Sequence, residues 1–508
     1  MLVCGGCWGL CAAPFEGMSQ LLRNLVQRTA GLGVVALAAL GLGLLQEMLL
    51  ARRFGTGPAA DAFAAALLLP TVLMTVLGNA ASGAYLSHHS GSSGGGAFVR
   101  SVLLVGLALA ALLAGLAPQI IALVYGGFPP ATARLCAALL RPLALIAAAG
   151  SLFALLKARY NARGIFVRPS AAGLLVPAAC SGALLFGAGI EPVARTAALA
   201  WLVQLILLGR AGSWWRDSGP ARREWSVALP LALVAALGFA YQPIGRALAA
   251  RLIDGGVAAL RYSDNILQLP VALIYIPLAT VVLPALAAHA LGGRIEAYRE
   301  LFDEALRWVL RAGLCIAALI WTLRAPLVAA IYRGGAFDAD SAALVTKLIG
   351  AGALFTLPLA LSSLSTPALI ALRRIGTLAG LGALFCGANL LLLLLLVPAL
   401  GLVGVVLATA LAACVSEGCA LALLRRSGHA RLDAGLLRSA GRALLGALAA
   451  AAAAVAARSA LAEVGWPILT VAIAGAAGLL VFVPVALTSE ERRATLRALV
   501  SRISSPHT

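Results

Sequence analysis

TLAGLGALFCGANLLLLLLLVPALGLVGVVLATALAACVSEGCALALL, residues 377–424, holds one carboxylate, Glu417, and no Lys or Arg. Arginine pairs close it at both ends, Arg373–Arg374 before and Arg425–Arg426 after. A helix crosses a bilayer with about 20 mainly apolar residues. The stretch therefore reads as two spanning helices, 377–398 and 400–424, that turn between Pro398 and Gly401. The rest of the chain follows the same pattern. Apolar residues make up 62% of it and charged residues 11%, and the mean hydropathy is +0.99. Soluble domains carry about 25% charged residues. Such a chain cannot cover a water-exposed surface, which excludes soluble enzymes, nucleic-acid-binding modules and disordered scaffolds.

Working outward gives fourteen candidate spans: 30–51, 61–85, 99–125, 131–156, 169–189, 192–210, 226–250, 256–288, 306–332, 340–371, 377–398, 400–424, 436–457 and 465–487. The apolar runs are continuous rather than alternating, so no β-barrel pattern competes. The net charge of +19 is distributed as an orientation signal. With the N-terminus inside, the inner segments collect Arg100, Lys157, Arg159, Arg163, Arg168, Arg222, Arg223, Arg294, Arg299 and many more. The outer segments hold only Arg52, Arg53, Arg134, Arg195, Arg251, Arg333 and Arg458. This bias predicts both termini in the cytoplasm of a multi-pass membrane protein. Segment 294–311 has mixed charges at helical spacing and predicts an interfacial amphipathic helix leading into the ninth span. Residues 87–98 read as a loop, Trp214 and Trp215 as an interfacial anchor, and residues 1–17 as a tail or a mis-assigned start. Cys4, Cys7 and Cys11 lack partners for a metal site.

The chain repeats itself after about 200 residues, the span of one multi-helix unit. LLLP at 67–70 matches LQLP at 267–270, each after a glycine turn (FGTG at 54–57, DGG at 254–256). YGGF at 125–128 matches YRGGAF at 332–337, and KARYNARG at 157–164 matches ALRRIG at 371–376. The expectation is an all-α polytopic membrane protein of about fourteen transmembrane helices, two six-helix lobes as parallel repeats plus two C-terminal helices. The boundaries are a cytoplasmic segment 1–29, a lobe 30–210, a linker 211–225, a second lobe 226–426, two further helices in 436–487 and a tail 488–508. Repeated bundles of this kind are the usual build of secondary transporters, with the site near the midplane. Pro70, Pro142, Pro243 and Pro270 fall within spans and predict bends.

Several ordered segments resemble the MurJ/MviN lipid II flippase family of the multidrug/oligosaccharidyl-lipid/polysaccharide exporter superfamily. They are ARRFGTGPAADAFAAALLLP at 51–70, LLKARYNARGIFVRPSAA at 155–172, ALRYSDNILQLPVALIYIPLATVVLPALA at 259–287, IYRGGAF at 331–337 and PALGLVGVVLATALAACVSEGCALALLRR at 398–426. The resemblance implies a flippase that moves an undecaprenyl-diphosphate-linked peptidoglycan precursor, lipid II, from the inner to the outer leaflet by alternating access. It also implies a groove for the lipid tail at the last two helices. The alternative is a flippase for another polyprenyl-linked oligosaccharide of exopolysaccharide or O-antigen type, and less so a multidrug exporter or a polyprenyl-processing membrane enzyme or scaffold. The family's usual arginines are replaced by Leu40, Gln46, Met74 and Asn265, and acidic positions by Asn79 and Gln268. Asp61, Asp264 and Arg141 match family positions.

Charges at membrane depth are functional by default. Arg246 is expected to be a cavity cation or to snorkel to the interface. Arg261 and Asp264, three apart, share a helical face and form an internal pair, or Arg261 replaces the cation missing at Asn265. Asp61 is an outer-surface helix N-cap or half of an outer-gate ion pair near Arg52 and Arg53. Glu47 is expected to pair with Arg246 or Arg141. Glu417 binds a coupling cation or pairs locally. No GxxxxGK[ST] loop occurs, so a transporter rather than an enzyme is expected. It needs no cofactor and couples to membrane potential or a cation gradient. Expected partners are the lipid-linked glycan, membrane lipids and cell-wall or polysaccharide synthesis proteins, with no nucleic acid, around a monomer.

Overall fold

The computed structural model describes residues 35–89, 95–209, 221–431, 434–461 and 466–486. The readings of residues 1–29, of Trp214 and Trp215 and of the tail 488–508 lie outside the described residues. In chain order the first half comprises α1 (Val35–Phe54), α2 (Pro58–His89), α3 (Gly96–Gly115), α4 (Ala117–Val124), α5 (Pro130–Leu143), α6 (Leu145–Ala162), α7 (Val167–Ala172), α8 (Leu175–Leu185) and α9 (Ile190–Gly209). The second half comprises α10 (Arg222–Phe239), α11 (Tyr241–Leu252), α12 (Gly256–Pro270), α13 (Ile276–Leu291), α14 (Ile295–Ile331), α15 (Ala339–Gly352), α16 (Thr356–Ala371), α17 (Ile375–Leu400) and α18 (Leu402–Arg426). The last two helices are α19 (Ala434–Ala460) and α20 (Pro467–Ala486). Among the described residues, 13 helices, some of them bent, are long and apolar enough to cross a membrane. The chain is an all-helical multi-pass membrane protein. The expected fifth span, 169–189, departs from the reading, being split into the short helices α7 and α8.

Prolines account for that split and for most other interruptions. Proline lacks the N–H that would serve the carbonyl four residues earlier, and its ring clashes with that carbonyl. Pro177 thereby frees Gly173, at the α7–α8 break. Pro118 frees Ala114 beside the α3–α4 break at Leu116. Pro243 frees Phe239, the last residue of α10. Pro277 frees Leu273, inside a π-turn over Val271–Tyr275 that joins α12 to α13. Pro358 frees Leu354, inside a 3-10 turn over Ala353–Phe355 between α15 and α16. Pro142 stands two residues before the α5–α6 break at Ala144. Pro70 does not interrupt α2. There the Thr71 hydroxyl donates to the Leu67 and Leu68 carbonyls at 2.9 and 2.8 Å, next to the Ala66 carbonyl that Pro70 frees. α2 also runs on to His89 and α3 starts at Gly96, so helix takes both ends of the expected loop at 87–98.

The repeated glycine motifs meet one another across the halves, on the face opposite the arginine-rich loops. The Ala336 N–H donates to the Arg52 carbonyl at 2.7 Å, Thr56 Oγ1 meets Ser341 Oγ at 2.8 Å, and the Tyr262 hydroxyl donates to the Gly55 carbonyl at 3.0 Å. The approach is so close that a Cβ on Gly335, at φ +61, would collide with the Arg52 carbonyl. One on Gly255, at φ +81, would collide with the Thr56 carbonyl. In the complementary contact Gly127, from YGGF, lies against Arg251 at the end of α11. Tyr262, Tyr332 and Phe337 cluster behind this seam, with ring centroids 5.1 to 5.8 Å apart.

On the arginine-rich face the halves also touch. Ala228 of α10 is buried among Leu77, Ala80, Ala81, Ala84 and Tyr85 of α2. Trp225 packs edge-on to Phe98, centroids 5.4 Å apart, and its Nε1 donates to Ser101 at 2.9 Å. The expected amphipathic segment forms the first turns of α14 without a break. Its Arg299 donates to the Gly428 carbonyl at 2.7 Å, and Glu296 pairs with Arg299 and Arg431 at 2.8 and 2.6 Å. His429 rests edge-on against Tyr298. Burial, with nearby Arg374, holds its pKa below the ordinary histidine value.

The seam makes a sharp prediction. Gly335→Ala forces a side chain into the left-handed region and into a carbonyl, and costs about 1–3 kcal/mol. Gly41→Ala, inside α1 with nothing within 4 Å of the new Cβ, gains about 0.5–1 kcal/mol in helix propensity. Thermal unfolding in detergent should place the two variants on opposite sides of the parent. Equal melting temperatures would remove the close approach as a determinant of the fold.

Candidate functional site

α1, α2, α11 and α12 bring together most of the ionisable side chains at membrane depth. Arg261, on α12, donates to Glu47, on α1, through Nε at 3.2 Å and Nη2 at 2.5 Å. The two side chains are only 15% and 13% exposed. The Arg261 guanidinium also lies 5.4 Å from the Phe63 ring centroid, a geometry favourable for a cation. Arg246, on α11, donates to Asp264 Oδ2 at 2.5 Å and to the Val257 carbonyl at 2.9 Å. Asp264 remains half-exposed. Each arginine therefore has a carboxylate partner, which removes the cost of an isolated buried charge.

The pairings correct the expectations. Arg261 and Asp264 do not pair with each other, because Arg261 points to α1 and Asp264 to α11. Glu47 pairs with Arg261 and not with Arg246 or Arg141. Asp61 is neither an exposed cap of its own helix nor half of an ion pair. Buried in the first turn of α2, its carboxylate accepts the Gly255 and Ala258 N–H groups at 2.7 Å each. It thus caps α12, whose own N-terminus at Gly255 has no side-chain cap. A helix start presents unpaired N–H groups and partial positive charge. Carboxylate and helix end satisfy each other across the two halves.

Arg52 and Arg53 are exposed beside the seam and do not enter this cluster. Arg53 donates to the carbonyls of Leu184 and Gly187 in the α8–α9 turn. Arg141 is exposed on α5. Asn265 sits one turn after Arg261, with its amide nitrogen buried beside the Tyr332 hydroxyl. Glu417 lies apart, on α18, and accepts from Ser365 of α16 at 2.6 Å. Sequence reading missed Thr56, Ser341 and the Tyr262 and Tyr332 hydroxyls as parts of the seam. The glycine motifs beside them were legible as repeats, and their mutual contact was the signal left unused.

Beside the Arg246–Asp264 pair lies a cavity of about 210 Å³, lined also by Tyr241, Gln242, Gln268 and Thr409. It mixes apolar walls with one ion pair and several amide and hydroxyl groups, which suits a polar headgroup better than an apolar molecule. A second, more open groove of about 730 Å³ runs between α14–α15 and α19–α20. Its walls include Pro326, Ala329, Val455 and Trp466, with Arg333 and Arg458 among its lining residues.

The family model described as Lipid II flippase MurJ matches residues 50–474. A probable lipid II flippase MurJ of Rhizobium tropici is 26% identical over 439 residues, which covers 80% of this chain and 82% of that protein. Its counterpart from Rhizobium meliloti (strain 1021) is 25% identical over 469 residues, covering 85% and 86%. Among solved structures, Lipid II flippase MurJ in an inward closed conformation superposes with a TM-score of 0.77 at 19% identity, over 91% of this chain and 99% of that one. An inward-facing MATE family multidrug transporter superposes at 0.64 and 16% identity, over 78% and 98%. These two superpositions establish the fold.

The α1–α12 ion pair can be tested by a cycle. Glu47→Ala strands a buried guanidinium and costs about 3–5 kcal/mol. Glu47→Ala with Arg261→Met removes both charges and recovers most of that loss. Thermal unfolding of the four proteins reads the coupling, and strictly additive effects would dissolve the pair.

Proposed function

Because the chain belongs to the lipid II flippase MurJ family, we propose that it carries lipid II from the inner to the outer leaflet. It is a transporter and not an enzyme. A diphosphate-linked sugar cannot enter hydrocarbon unaided, since stripping water from its charges is too costly. The observation that carries the reading to this chain's own residues is the ion-paired cavity beside α11 and α12.

In this reading residues 30–210 and 226–426 act as two lobes, and the seam and the α2–α10 contact are its alternating closures. Arg246 and Arg261 receive the diphosphate, leaving Asp264 and Glu47 for it, and Asn265 adds an amide donor. Arg141 supplies a further cation when the halves part. Phosphate recognition favours several charge-assisted bonds together. The prenyl tail stays in the groove of α14, α15, α19 and α20, where Trp466 stands at the membrane–water interface. The arginine-rich face is cytoplasmic, as the positive-inside rule requires, and the site lies in the bacterial inner membrane. A second reading, another polyprenyl-linked oligosaccharide, is favoured by Leu40, Gln46 and Met74 at positions where the family carries arginines.

The deciding experiment is complementation of a strain depleted of its lipid II flippase. Growth supports lipid II as substrate. Failure by a protein present at normal levels in the membrane assigns the second reading. Within a complementing background, Arg246→Ala should abolish activity and Arg246→Lys should retain part of it. Full activity of Arg246→Ala would take this residue out of the substrate site. For orientation, a cysteine at the exposed Phe186 should react with an impermeant reagent from outside, and one at the exposed Arg163 should not. The opposite labelling would invert the topology.

A further inference from the structure

Glu417 is the one carboxylate of α18, and it is partly covered. On its face of the helix Ala410, Ala413, Ala420 and Leu424 are all buried. Ala420 and Leu424 pack in one apolar cluster with Ala360, Leu364 and Ala368 of α16. Within that contact Ser365, itself 2% exposed, donates to Glu417 at 2.6 Å. Ser362, a second hydroxyl neighbour, lies 3.5 Å from Thr366. α16 thus offers three hydroxyls within about one helical turn.

No cation balances this carboxylate among the described residues. α16 carries no titratable or charged side chain, α17 carries only Cys386, and the 3-10 turn carries none. α15 brings Asp340 and Lys347, and α11 brings Tyr241, Arg246 and Arg251. Both pack on α18 around Val405 and Val406, whereas Glu417 lies more than two turns further along. On α18 itself the other titratable groups are Cys414, Cys419, Arg425 and Arg426. Arg425, the nearer arginine, is eight residues away, about 12 Å along the axis. An unpaired carboxylate in an apolar contact at membrane depth is costly while charged. The contact also suits a proton better than a metal ion. The carboxylate and Ser365 oxygens are already at hydrogen-bond distance, which leaves no room for an ion between them. No cluster of three or more His, Cys, Asp or Glu that could hold a metal occurs among the described residues.

We infer that Glu417 is a proton-binding site, protonated while α16 and α18 are packed together, through which transport is coupled to a proton gradient. One proton adds to the carboxylate from water on one side of the membrane, making a neutral carboxyl. The same proton returns to water on the other side when the α16–α18 contact opens. The coupling step rests on the flippase reading, whereas the protonation state does not.

Two measurements separate these. The first is infrared spectroscopy of the full-length protein in lipid without substrate. At neutral pH the parent should show the carbonyl band of a protonated carboxylic acid, and Glu417→Gln should lose it. Absence of that band from the parent, or its persistence in Glu417→Gln, overturns the site. The second uses proteoliposomes containing lipid II and a luminal pH dye. The parent should move protons when lipid II is supplied, and Glu417→Gln should lose that movement. If the parent flips lipid II without moving protons, or Glu417→Gln moves them as the parent does, coupling through this residue is overturned. Should Glu417→Gln fail to fold, Ser365→Ala serves in both arms. It should keep the band at a shifted frequency and change the pH dependence of proton movement, and an unchanged spectrum would overturn the hydrogen-bonded site.

Discussion

A carboxylate buried on the start of another helix sets the terms for this molecule. Asp61 takes the Gly255 and Ala258 N–H groups, and both partners come from distant parts of the chain. In hydrocarbon neither tolerates loss of the other, because an unpaired buried charge and a bare helix end are each costly. In water both can be lost at little expense. The seam is therefore stable only while dry and can part only towards water. The close glycines and the Tyr262–Tyr332–Phe337 cluster give it shape. In the proposed cycle this polar contact would let the seam open.

The same constraint explains why the deep arginines are paired. Arg261 holds Glu47 and Arg246 holds Asp264, so the cluster carries little net charge. Replacing either pair with apolar residues would suit stability at least as well. Ionic groups kept at such depth read as groups kept for a ligand. Proline placement serves the same end. Pro243 and Pro277 interrupt the helices that carry Arg246 and run on from Asp264, so the backbone around the pairs is bent where the cavity lies.

Much of the architecture was legible because lipid imposes few rules. Apolar run length gave an all-helical membrane chain and most of its spans, and the glycine motifs that stood out as repeats, FGTG, DGG and YRGGAF, are the ones that meet. The fifth span escaped because length alone does not register a helix that Pro177 divides. The site was half legible. Arg246, Arg261, Asp264, Glu47 and Asp61 stood out as charges in apolar surroundings. Their partners did not, since i, i+3 spacing reports neighbours on one helix, and these contacts join residues up to 214 positions apart. Asp61 was misread for the same reason. A cap is normally sought on the helix that follows it in sequence, and here the capped helix begins almost 200 residues later.

Pairing also bears on how a diphosphate would be handled. A cluster of free arginines would bind it tightly and release it slowly. Here each guanidinium already has a carboxylate, so a phosphate oxygen must take the place of Asp264 or Glu47. The exchange swaps one charge-assisted contact for another of similar strength, and the net gain is a small difference between large terms. A carrier that must load on one side and unload on the other benefits from such a balance, since only differential affinity between its two states does work. Asp264 is half-exposed while Arg246 is nearly covered, which makes the carboxylate the partner free to move aside. In the proposed cycle the Val257 carbonyl would hold the arginine in place, and return of Asp264 would help to expel the headgroup.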